Sequence, residues 1–106
     1  MKECEFLGDS KKIIASFPNG AKAEMLHQIE KLLHGLEPSD WKVVHGVGAG
    51  VKEIRIRNDK NQYRAVYVAH RGNTVYILHA FKKSKSDMSS RDFKTIQLRY
   101  KEIPKR

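Results

Sequence analysis

Apolar and polar residues alternate along Val51-Lys52-Glu53-Ile54-Arg55-Ile56-Arg57, with Lys52, Ile54 and Ile56 on one side and Glu53, Arg55 and Arg57 on the other. A period of two predicts a strand with one half-buried face. Two further extended runs follow, Tyr63 to His70 and Thr74 to Phe81, rich in the Val, Ile and Tyr that suit a pleated surface. Asn58-Asp59-Lys60-Asn61 and Arg71-Gly72-Asn73 supply turn chemistry between them. Residues 51–83 therefore read as an antiparallel meander, and its polar positions are mostly cations.

Outside the meander the spacing is helical. Glu3 to Gly8 can form an edge strand. Asp9 and Ser10 suit a helix N-cap, Ile13, Ile14 and Phe17 give that short helix one apolar face, and Pro18 stops it. Asn19 can cap a second helix running to about His34, with Met25, Ile29, Leu32, Leu33 and Leu36 as its stripe and Gly35 as its C-cap. Trp41 reads as a core anchor or a lid on the sheet edge. Ser89 and Asp92 resemble a capping box. Phe93, Ile96, Tyr100 and Ile103 then share one face of a C-terminal helix, leaving Arg91, Lys94, Arg99 and Lys101 on the exposed one. No repeat or linker divides the chain. Residues 1–106 read as one α+β domain, an N-terminal helical hairpin packed on a twisted antiparallel sheet and followed by a C-terminal helix.

Charge sharpens this picture. The 106 residues carry a formal net charge of +9, and it is unevenly placed. Residues 1–50 hold six Lys and Arg against seven Asp and Glu, whereas residues 51–106 hold fifteen against five. All of the basic excess lies in the meander and tail, which favours a polyanionic partner, nucleic acid first. No apolar run reaches the length of a membrane span, and MKECEFLGDS has no signal-peptide core, so a cytoplasmic protein without membrane association is expected. Cys4 is a lone cysteine and gives no disulfide framework.

Several chemistries are disfavoured. His27 and His34 stand two helical turns apart, about 10 Å, too far to share a metal. His45, His70 and His79 lie on separate segments, so no zinc site, and no cofactor, is expected. Gly46-Val47-Gly48-Ala49-Gly50 leads into a strand and not a helix, which excludes a dinucleotide loop and leaves a flexible approach to the meander. What remains is the set Arg55, Arg57, Arg64, Lys82 and Lys83, which an antiparallel sheet can gather in one concavity. Each cation alone reads as a solvated residue; convergence carries the functional reading. Arg forks and Lys point charges hold phosphate oxygens. RNA cleavage needs such charge, because negative charge builds on those oxygens, and the RNA supplies its own 2′-hydroxyl as nucleophile. His79 is the first candidate general base and Glu53 the second, since imidazole titrates near working pH. The competing reading of His79 is a satisfied histidine on a buried strand face.

The runs Gly50 to Arg57, Tyr63 to Ala69 and Val75 to Lys83, in this order and spacing, resemble the RelE/HigB toxins of type II toxin–antitoxin modules, most nearly their phage-derived HigB-like branch. The similarity extends to Glu5–Ser10 and Glu37–Lys42. The resemblance implies a RelE-like fold and a ribosome-dependent mRNA interferase, an endoribonuclease in which the 2′-hydroxyl attacks the scissile phosphate. Carried over by position, Arg55 matches a basic residue of the first meander strand, Arg64 the arginine after the tyrosine of the next, and Lys82 and Lys83 the basic pair after the third. Arg55 and Arg64 would stabilise phosphorane charge, and Lys82 and Lys83 would position the backbone or protonate the leaving 5′-oxygen. RNA contacts are also expected from Lys52, Arg57, Lys85 and Arg91. Two departures stand out. Some relatives place a catalytic tyrosine where Ser86-Asp87-Met88-Ser89 stands here, and the HigB-like branch tends to continue its lysine pair with Thr-Gln-Lys-Thr-Pro where this chain has Ser84 to Met88. The implied partners are mRNA on the ribosome and a helix-turn-helix (HigA-like) antitoxin. Two alternatives keep the fold: a ParE-like inhibitor of DNA gyrase, and a non-catalytic nucleic-acid-binding module. Under the first reading, Arg64→Ala is expected to abolish growth inhibition and leave the fold intact.

Overall fold

The alternation of the meander resolves into two apolar cores, one on each face of a single sheet. The computed structural model describes residues 1–84 and 88–104. Its elements are β1 Glu3–Phe6, α1 Ser10–Ala15, α2 Asn19–Leu33, β2 Trp41–Val43, β3 Val51–Asn58, β4 Asn61–Arg71, β5 Thr74–Lys83 and α3 Ser90–Tyr100. The strands lie in the order β1-β5-β4-β3-β2. The predicted meander is the antiparallel centre, and β2 adds antiparallel to β3. The sheet is nonetheless mixed, because β1 pairs parallel to β5. Side-chain alternation carries no information about strand direction; here the helical pair between β1 and β2 sets it.

On one face Ile14, Phe17, Met25, Ile29 and Leu32 of the helical pair cover Ile54, Ile56, Tyr63, Tyr67 and Ile77. On the other, Phe93, Ile96, Tyr100 and Ile103 of the α3 region cover Val51, Val66, Val68, Tyr76, Leu78 and Phe81. Ser89 caps α3 as its spacing predicts, accepting from the Asp92 amide at 3.0 Å. Other ends differ. Leu36 lies past Gly35, whose φ of +80° ends α2, and so leaves the stripe and is exposed. Asn19 is the first residue of α2, with Pro18 in the cap position and no side chain capping it. Asp9 precedes α1 without capping it either; its carboxylate goes to Arg99. Trp41 sits half-buried on edge strand β2 with the Lys52 ammonium 4.3 Å above its ring.

Two details set up the site. The residues between β2 and β3 do more than approach the meander: a Cβ at Gly48 would overlap the Tyr100 ring, so the glycine lets α3 pack close. In β5, Val66 pairs with His79 but Tyr67 pairs with Ile77, leaving Leu78 unmatched in a bulge. The bulge switches the parity of the strand. Tyr76 and Leu78 face α3 before it, whereas His79, Phe81 and Lys83 face α3 after it. Lys82, opposite Tyr63, is turned to the face of the helical pair. Among the described residues no helix is long and apolar enough to cross a membrane.

Candidate functional site

At the end of the sheet near the β3–β4 turn, the α3 face is arranged in cross-strand rows. Arg57, Gln62 and Lys83 form one row; Arg55, Arg64 and Phe81 the next; Glu53, Val66 and His79 the third. The first two rows without Phe81, together with Asp40 and Ile56, line a groove of about 300 Å³. Arg64 and Lys83 also wall a neighbouring cleft of about 240 Å³.

Arg55 and Arg64 stand directly opposite each other. Like charges so placed destabilise a sheet unless something offsets them. Asp40 takes Arg55 at 3.2 Å, and Glu53 stands 3.7 Å from Arg64 Nε. Arg64 is no solvated surface cation: it is 5% exposed, as is Glu53. Its Nη1 donates to the Tyr63 carbonyl at 3.3 Å and its Nη2 to Gln62 Oε1 at 2.7 Å, while Nε has no hydrogen-bond partner. Burial lowers the Arg64 pKa, Glu53 opposes that, and Arg55 adds to the lowering. An arginine nevertheless stays charged. The expected intact fold of Arg64→Ala therefore has to be revised, because that change strands a buried carboxylate.

Residues 12–101 match the family described as phage derived protein Gp49-like (DUF891). The chain belongs to that family. Gp49-like proteins are a toxin–antitoxin-associated, RelE/HigB-like family. No curated protein matches the chain.

In this Gp49-like chain the fold gathers only part of the expected set. Arg55, Arg57, Arg64 and Lys83 share the groove. Lys82 faces the other side of the sheet, for the parity reason given above. Lys52 also lies on that other side, held by Trp41 and by Glu37 at 3.9 Å. Arg91 is exposed in the first turn of α3 and does not line the groove. Lys85, Ser86 and Asp87, on which one RNA contact and a departure from the family pattern fall, lie outside the described residues. His79 is buried, and both of its ring nitrogens are engaged. Arg99 Nη1 lies 3.3 Å from Nδ1 and Asp92 Oδ1 lies 2.7 Å from Nε2. Arginine can only donate, so Nδ1 accepts and Nε2 carries the proton given to Asp92. In this state the ring has no free lone pair with which to take a proton.

Arg99, expected on the exposed face of α3, is the centre of that arrangement. It also donates to the Leu78 carbonyl of the bulge at 3.0 Å and to Asp9 at 2.7 Å. The spacing of Asp92, Ile96 and Arg99 puts all three on one face of α3, a signal the apolar stripe alone does not carry. Gln62 is the other unanticipated member; its place two residues before Arg64 on one strand was the available sign. Cys4 is half-buried on β1, and burial pushes its thiol up, with Lys11 partly opposing, which suits a packing residue better than a nucleophile.

Proposed function

We propose that this Gp49-like protein is a cytoplasmic toxin that acts as a ribosome-dependent mRNA interferase. The observation that carries the reading is the pair of facing arginines, Arg55 and Arg64, flanked by Arg57 and Lys83 in one groove. Holding four cations together costs stability, and a phosphodiester is the ligand that recovers it. Arg64 is locked by Gln62 and Tyr63 before substrate arrives, so little reorganisation is needed as charge builds on the phosphate oxygens. Arg55 and Arg57 supply the second side of the clamp. The RNA's own 2′-hydroxyl attacks the phosphorus and gives its proton to solvent, the bond to the 5′-oxygen breaks, and Lys83 protonates that departing oxygen. His79 serves as a positioning residue that fixes α3, and through it the wall of the neighbouring cleft. A helix-turn-helix antitoxin is the implied inhibitor.

The test is induced expression in bacteria with transcript 5′ ends mapped by primer extension, alongside a culture in which translation is blocked. New ends inside translated codons that disappear under the block are expected. Growth arrest with intact transcripts would replace this reading with gyrase inhibition, and no arrest would leave a nucleic-acid-binding module.

A further inference from the structure

The cleft beside the groove has a chemistry that clamping a phosphate does not use. Val44, Phe81, Met88 and Phe93 give it apolar walls, Lys42, His45, Arg64 and Lys83 give it polar ones, and Glu53 lines it as its one acid. At about 240 Å³ it is smaller than the ~300–1,000 Å³ of sites for drug-sized ligands, so it suits a single ring system. Arg64 and Lys83 line both cavities, so an RNA with its phosphate in the groove has a base within reach of the cleft.

Glu53 is the telling group. It is 5% exposed, and among the described residues its charge is met by Arg64 alone, with no hydrogen bond from Arg64 Nε. Arg64 Nε stands 3.7 Å away, outside hydrogen-bond distance. A purely structural counter-ion would be drawn into a closer, bidentate pair. A carboxylate only accepts, so the edge that completes it must present donors. Guanine offers two adjacent ones on its Watson–Crick edge, N1–H and the N2 amino group. Adenine and cytosine offer one amino group beside an acceptor nitrogen, and uracil one N–H between two carbonyls. Single-stranded RNA is read on that edge while the base face lies on aromatic rings, here those of Phe81 and Phe93.

We propose that this cleft is a guanine-binding pocket in which Glu53 reads the base next to the clamped phosphate. The inference rests on the reading of the groove as an RNA site, and it makes guanine-containing single-stranded RNA the substrate class. Equilibrium binding of the four nucleoside 3′-monophosphates to the full chain tests it without any cleavage. The guanine nucleotide should bind about tenfold tighter than the other three, as one bidentate base contact implies. Glu53→Gln should remove the preference. Because that change also unpairs Arg64, Met88→Trp serves as the second variant, filling the cleft from its half-buried rim and leaving Glu53 and Arg64 in place. Equal affinities, no binding of any nucleotide, or a guanine preference that survives both variants would overturn the pocket. Selective guanine binding by a chain that leaves transcripts intact would uphold the pocket and end the nuclease reading. Cleavage without selective binding would end the pocket alone.

Discussion

The two faces of the sheet are made by the same strands and differ in what covers them. The helical pair, with the fifteen-residue α2, covers one face with an apolar layer that leaves Lys52 and Lys82 outside it. The other face receives only the eleven-residue α3, whose apolar residues cover the middle of the sheet and stop short of the β3–β4 end. Past that limit the inward positions are Glu53, Arg55, Arg57, Arg64 and Lys83. Charge collects where cover runs out, and that is where the groove lies. The even face is built for stability, and the proposed binding falls to the uneven one.

Substitutions at buried positions on the two faces should separate these roles. Arg64→Ala should lose about 3–5 kcal/mol in denaturant unfolding, since Glu53 is left buried and unpaired. The double change Arg64→Met with Glu53→Leu should restore most of that stability and none of the growth inhibition; recovery of both would show the pair to be structural only. On the face of the helical pair, Met25→Ala should cost about 2–5 kcal/mol through the cavity it opens, while activity per folded molecule stays unchanged. If mRNA cleavage fell further than the folded fraction, the division between faces would be wrong.

Smaller effects sharpen the contrast. Arg99→Leu removes charge-assisted bonds worth about 1.5–3 kcal/mol, and hydrogen exchange should quicken in α3 and leave α2 unaffected. Uniform quickening would mean that α3 is not held separately. Tyr67, on the same strand as Arg64 but facing the helical pair, has a buried hydroxyl without a partner, and burial raises its pKa. Tyr67→Phe should therefore gain about 1 kcal/mol, the opposite sign to the Arg64 change. Asp9 is the weakest lever. Its hydrogen bond from Arg99 holds its carboxyl below the ordinary value, and the side chain is half exposed. Asp9→Asn should cost less than ~1 kcal/mol at neutral pH. The bond's contribution is present above the unfolded pKa of about 3.9 and fades as pH falls through the lowered folded value, so wild type and variant should converge in acid.

Much of this was legible in the chain. The period-two runs identified β3, β4 and β5, the three- and four-residue spacing identified α2 and α3, and the Ser89–Asp92 spacing identified a cap. Arg55 and Arg57 share one face of β3, as the alternation predicts. The mixed character of the sheet was not legible, since the edge pairing of Glu3–Phe6 depends on where the helical pair returns the chain. Nor was Arg99, whose position among apolar neighbours looks like an ordinary exposed cation until Asp9, His79 and Leu78 come to meet it.

The sequence by itself determined the elements, the order of the meander and the concentration of cations in the second half, because propensity, periodicity and charge are local properties of the chain. Only the tertiary structure decided which cations share a site. One unmatched residue, Leu78, shifts the parity of β5, so Lys83 and not Lys82 joins Arg64. Pairing register is a contest between strands far apart in sequence, and a single-residue slip reverses every face beyond it. The burial of Arg64 against Glu53 has the same origin, since the two residues become neighbours only once β3 and β4 are in register.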